Sequence, residues 1–142
     1  MCNEWRMWYQ NEEMIEEETA CFVYMIQFTD SSEYYIGQKR VWVGTKDIST
    51  RKMETKQSNW EDYNSSSTEV KARIEAGEPH IKYILHGFPT YNEALHCEST
   101  LICLFASDYS CLNKALIAKF RFSKKLNDCH MGIVRRLIED LS

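Results

Sequence analysis

The sequence predicts an α+β fold, a small antiparallel or mixed sheet of about three strands flanked by helices. Two patterns lead there. Runs rich in β-branched and aromatic residues stand close together around a short polar turn, and separate segments carry apolar residues at helical spacing behind Ser or Thr caps. A length of 142 residues with 44% hydrophobic residues and two prolines suits one core and excludes a disordered composition. We divide the chain into an acidic N-terminal arm, 1–20, and a domain over 21–142 that ends in a helix.

The arm holds Glu4, Glu12, Glu13, Glu16, Glu17 and Glu18 against one base, Arg6, and carries Trp5, Trp8 and Tyr9. It reads as a short helix whose Glu16–Glu18 run repels itself unless a basic partner is near. It has no basic or apolar leader region, so a signal peptide is not expected. Cys21–Phe28 (CFVYMIQF) reads as a strand. A Thr-Asp-Ser-Ser cluster follows, then Glu33-Tyr34-Tyr35-Ile36-Gly37, completing a β-hairpin. Val41–Val43 extends the second strand or opens a third.

Residues 44–66 are polar and long for a connection, which marks a functional or mobile stretch. Ser66 with Glu69 forms a capping box for a helix bearing Val70 and Ile74 and ending at Gly77. His80–His86 reads as a strand. Thr90 with Glu93 caps the next helix, about 91–105, with Ala94, Leu95, Leu101, Ile102 and Phe105 at helical spacing. Residues 110–122 look irregular, with room for a short strand. A last helix, about 127–141, places Ile133, Leu137, Ile138 and Leu141 on one side.

The six cysteines show no CxxC or CxxxxC pair, so zinc-knuckle spacing is absent, and they read as reduced, packed thiols. No apolar run approaches the roughly 18 residues of a membrane span, so no membrane is expected. The net charge of −4 hides an uneven distribution. Outside the arm, 16 bases face 15 acids, and 114–136 holds seven bases with one acid, Asp128. That segment reads either as a phosphate-binding surface or as a solvated face.

Glu98 is the most informative single residue. Its neighbours three and four positions away are Ala94, Leu95, Leu101 and Ile102, so a carboxylate emerges within an apolar stripe. Such a charge is costly unless paired or bound to metal. The competing reading is a Glu at the stripe's edge that reaches water or a core Arg. Tyr24 and Tyr35 sit on adjacent predicted strands, where both hydroxyls can face one side; the competing reading is ordinary strand aromatics.

Phe22-Val23-Tyr24 followed by Tyr35-Ile36-Gly37 resembles the paired motifs of the GIY-YIG nuclease family. The second motif is intact; Phe22 stands in place of the family's Gly and Val23 in place of Ile. The Asn59-Trp60-Glu61-Asp62-Tyr63-Asn64-Ser65-Ser66 stretch is similar to that of phage-borne members, and the resemblance covers roughly 21–115. It implies a metal-dependent endonuclease that hydrolyses DNA phosphodiesters with Mg²⁺ or Mn²⁺, in the cytoplasm of a bacterial host if phage-encoded. It implies Glu98 as the metal ligand, Tyr24 as the residue that activates or positions water, and Tyr35 as a second tyrosine orienting water or phosphate. Gly37 would let the backbone approach closely, and Asn113 would support the site. The family's phosphate-binding Arg matches Arg40 best, with Lys39 and Arg51 as alternates, and Tyr63 stands where the family adds a His or Tyr. The alternatives are a DNA-binding protein that has lost the chemistry, or an inhibitory or interaction protein using the arm. The arm itself is assigned to shielding the site, dimerisation or contact with another protein. A separate recognition domain does not fit in the remaining chain, so target specificity is expected to be low or supplied by a partner.

Overall fold

A computed structural model describes residues 4–116 and 128–142. Its core is a four-stranded mixed sheet in the order β1-β4-β2-β3, formed by β1 (Trp5–Met7), β2 (Cys21–Phe28), β3 (Tyr34–Arg40) and β4 (His80–Phe88). Three α-helices accompany it: α1 (Thr68–Glu75), α2 (Tyr91–Phe105) and α3 (Asp128–Leu141). The α+β class is as expected, with one strand more.

The extra strand comes from the arm. Trp5–Met7 is not helical; it pairs in parallel with Lys82–Ile84 at the sheet edge. Glu16–Glu18 forms one turn of 3-10 helix. Val41–Val43 is not a strand either. Trp42 makes an isolated bridge to Gln57, which closes the base of the 43–56 loop.

The hairpin forms as the pattern predicts. β2 pairs antiparallel with β3, placing Tyr24 opposite Gly37 and Ile26 opposite Tyr35. Side chains alternate, so the sheet has two apolar faces. Cys21, Val23, Met25 and Ile36 turn towards α2 and α3. Phe22, Tyr24, Ile26 and Phe28 turn the other way, with Val70 and Ile74 of α1 and with Trp42. β2 is buried along nearly its whole length, because both faces are covered.

α1 begins one residue later than expected. Ser67, not Ser66, is its cap, its Oγ accepting from the Val70 N–H at 3.3 Å. Ser65 just before it has φ of +93°, which turns the chain so that Ser67 is the serine in capping position. Arg73 of α1 ties the helix to the hairpin turn, with its guanidinium 3.0 Å from Glu33 and 4.0 Å over the Phe28 ring. Thr90 caps α2 as expected, accepting from the Glu93 N–H at 3.2 Å. α3 lays Val134 and Leu137 into the core, with Ile133, Ile138 and Leu141 packed against it.

The five described cysteines are free. No helix among the described residues is long and apolar enough to cross a membrane. Of the basic segment at 114–136, Lys119, Arg121, Lys124 and Lys125 lie outside the described residues. Lys114 pairs with Glu69 at 3.4 Å and Arg136 with Glu12 at 2.9 Å.

Candidate active site

The face of the sheet opposite α2 gathers most of the hydroxyl groups picked out in the sequence. Tyr24 and Tyr35 lie on neighbouring strands with ring centroids 6.3 Å apart. Tyr63, carried in by the loop before α1, meets Tyr24 edge-on at 6.0 Å. Tyr35 Oη shares a 3.3 Å hydrogen bond with Ser66 Oγ. Gly37 is required by this packing. A Cβ there would fall 2.5 Å from Cζ and 2.9 Å from Cε2 of Tyr24, so only glycine lets the phenol cross β3.

Tyr24 is fully buried, yet its hydroxyl makes no hydrogen bond among the described residues. The Ser65 and Tyr63 hydroxyls are near enough to act on its ionisation but do not meet hydrogen-bond geometry with it. Burial above all, and then the neighbouring Tyr63, push its ionisation well above the usual phenol range. A buried hydroxyl with nothing to bond is costly and marks a group kept for an external partner. Tyr63 is raised as well, chiefly by burial. Both phenols are therefore neutral donors at physiological pH.

Glu98 projects from the middle of α2. Burial lifts its carboxyl to about 7. Its charge acts on Cys21, on the α2 face of the sheet, and on Tyr63, on the opposite face. Among the described residues its carboxylate takes part in none of the four ion pairs and in no side-chain hydrogen bond. A half-buried carboxylate without a counter-charge fits a hard divalent cation, with water and substrate oxygens completing the shell. No group of three or more His, Cys, Asp or Glu among the described residues could enclose a metal, so Glu98 would hold it alone from the protein side.

The basic candidates separate by strand alternation. Lys39 shares the tyrosine face, with Nζ 4.5 Å above the Tyr63 ring. Burial, then the nearby Arg40, lower its ammonium pKa. Arg40 pairs with Cys21 and lies on the α2 face, its guanidinium 5.2 Å over the Tyr91 ring. Its charge also acts on Cys21, as that of Glu98 does, but no ion pair joins the two. Arg51 stacks at 4.4 Å on Trp42. Asn113 clamps the free edge of β3: Oδ1 accepts from the Ile36 N–H at 2.9 Å, and Nδ2 donates to the Ile36 carbonyl at 2.7 Å. It thus closes the sheet edge beside Tyr35 as a further strand would.

Sequence reasoning overlooked three residues around this face. Lys82 lies within the expected His80–His86 strand but is not among the expected site residues; it is 1% exposed and lies 4.4 Å over the Trp5 ring. Burial lowers its pKa to about 8. Trp5 packs edge-on against Phe22 and Tyr24 at 5.3 and 5.4 Å. Ser65 carries the positive φ, a strained conformation for a non-glycine residue. Only Lys82 left a trace in the sequence, through the period-two alternation that puts it on the face of Ile84.

This arrangement, a hairpin bearing paired tyrosines and a lone carboxylate on the following long helix, agrees with what comparison finds. The family model described as "Putative endonuclease segE, GIY-YIG domain" matches residues 5–111. The chain belongs to the GIY-YIG nuclease family. It is also similar to Intron-associated endonuclease 2 of Enterobacteria phage T4, 30% identical over 140 residues, covering 92% of this chain and 49% of that protein. The chain thus spans about half the length of this relative. No solved structure matched. The family match starts at Trp5 and so takes in the edge strand that the arm contributes.

Proposed function

We propose that the protein is a divalent-metal-dependent endonuclease that hydrolyses phosphodiester bonds in DNA, with its site on the tyrosine face. Two observations carry this reading together: a buried hydroxyl that meets no hydrogen-bond geometry, on Tyr24, and a carboxylate without a counter-charge, on Glu98, whose charge acts on the neighbouring Tyr63. Neither is stable alone, and a phosphate with its cation supplies what both lack.

In this reading a water oxygen forms a bond to phosphorus as the opposite P–O bond breaks, and the leaving oxygen takes up a proton. Tyr24 acts as a neutral donor that orients the water or the phosphate, since its raised ionisation makes it a poor base. Tyr35 and Tyr63 present further hydroxyls on the same side. Lys39 holds a non-bridging oxygen, a role its position on the tyrosine face favours over Arg40, with Arg51 contributing to DNA contact farther out. Mg²⁺ or Mn²⁺ bound by Glu98 would supply Lewis-acid stabilisation of the developing charge. Gly37 and Asn113 keep the two strands in register beneath the site. The phage origin of the similar endonuclease supports action in a bacterial host cytoplasm.

Plasmid cleavage tests this reading directly. Wild-type protein should nick or linearise plasmid with Mg²⁺ or Mn²⁺ and do neither with EDTA, and Glu98→Ala should bind DNA without cutting it. Cleavage by folded Glu98→Ala at the wild-type rate would refute the assignment.

A further inference from the structure

Tyr63 reaches the site on a loop, and loops hold side chains less precisely than strands do. Yet the stretch that carries it is fixed at both ends to the β1–β4 edge of the same face. At one end, Trp5 Nε1–H donates to the Trp60 carbonyl at 2.9 Å. At the other, Lys82 Nζ donates to Asn64 Oδ1 at 3.3 Å. The two anchors touch each other, the ammonium lying 4.4 Å over the indole ring. They belong to the parallel pair β1–β4, in which Trp5 stands opposite Lys82 in register. Phe22 packs against Trp60 at 5.7 Å and fills the space between.

Burial makes an ammonium expensive even with the Asp62 charge acting on it, and a methionine of similar length would pack there at less cost. Packing alone therefore does not account for Lys82. We propose that Lys82 and Trp5 are positioning residues, which pin the 60–64 segment so that Tyr63 stays against Tyr24 and below Lys39. The proposal rests on the nuclease reading above for its consequence in catalysis, but the pinning itself is independent of it. It also assigns a task to the strand contributed by the N-terminal arm: β1 carries one of the two pins.

The test uses the full chain with Lys82→Met, which keeps the length and removes the charge, and Trp5→Phe, which keeps the ring and removes the N–H. Asn64→Ala breaks the same contact from the exposed side and serves if Lys82→Met does not fold. Two readouts are taken. Amide hydrogen exchange without DNA follows Asp62 and Tyr63, whose N–H groups bond to Asn59 and Trp60; at least threefold faster exchange is expected in each variant. Steady-state cleavage should show kcat down about tenfold with KM within twofold. Adding Tyr63→Phe to Lys82→Met should cost less than a further twofold, because the tyrosine is already misplaced. Unchanged exchange would overturn the pinning. Altered exchange with unchanged kcat, a penalty confined to KM, or full multiplication of the two single effects would overturn the positioning of Tyr63. Wild-type protein that cuts no DNA would refute the nuclease reading, and exchange alone would then decide the pinning.

Discussion

Glu98→Gln should separate the cost of the site from its use. In the folded protein burial raises the carboxyl from 4.5 to about 7, with no counter-charge to offset it. A group whose folded pKa is raised adds stability below its unfolded pKa and loses it as pH rises through the folded value. Wild-type stability should therefore decline between about pH 4.5 and 7 through this residue. At roughly 1.4 kcal/mol per tenfold change in proton affinity, the ceiling is about 3 kcal/mol. Partial solvent access reduces this to about 1–2 kcal/mol. Gln removes the charge and keeps the shape, so the variant should match wild type near pH 4.5 and exceed it by that amount at pH 8. For a chain of this length the gain is about 3–8 °C in Tm. The assay is thermal and urea unfolding at pH 4.5, 6 and 8 in EDTA, repeated with Mg²⁺. Added Mg²⁺ should raise wild-type stability and leave Glu98→Gln unmoved, while cleavage by the variant falls below detection. A variant less stable than wild type at pH 8 in EDTA would show that the carboxylate is satisfied inside the fold, and the reasoning would fail.

Three further outcomes follow from the same geometry. Tyr24→Phe removes a hydroxyl that meets no hydrogen-bond geometry among the described residues, so unfolding should shift by no more than about 1 kcal/mol in either direction while cleavage falls at least hundredfold. Asn113→Ala leaves the Ile36 N–H and carbonyl without partners at a buried edge, and denaturant unfolding should show a loss of about 1–3 kcal/mol. Lys39→Met should lower kcat about tenfold to hundredfold and Arg40→Met much less, because only Lys39 shares a face with the tyrosines; the reverse order in steady-state kinetics would move the phosphate to the α2 side.

The hairpin, the capped α2 and the position of Glu98 were legible because each is written in local pattern. A run of alternating aromatics, a Thr-x-x-Glu box and a charge within a helical stripe need no knowledge of distant contacts. The edge strand was not legible. Trp5–Met7 is too short to show alternation, and its partner Lys82–Ile84 lies more than seventy residues away in parallel pairing. The start of α1 was missed by one residue because three consecutive serines compete for the cap, and the positive φ at Ser65 decides between them. Alternation along β3 could have ranked the basic residues. Tyr35, Gly37 and Lys39 share parity and therefore a face, whereas Arg40 falls on the other.

The same parity rule bears on why the proposed site would stand on this face of the sheet. On β2 the residues facing the site are Phe22, Tyr24 and Ile26, and the apolar pair around Tyr24 prevents water from reaching its hydroxyl from within the sheet. On β3 the matching positions are Tyr35, Gly37 and Lys39, a hydroxyl, a gap and a cation. The gap admits the Tyr24 phenol across β3, and its hydroxyl lies buried against Gly37. Phe22, which stands where the family's first motif has Gly, supports this arrangement. It packs against Trp5 and Trp60 at 5.3 and 5.7 Å, tying the edge strand and the Tyr63-bearing segment to the floor of the site. Phe22→Gly would restore the motif's Gly and remove that floor. It should lower stability by about 3–5 kcal/mol without gaining activity. A gain in kcat on that substitution would show that the aromatic blocks the site instead of building it.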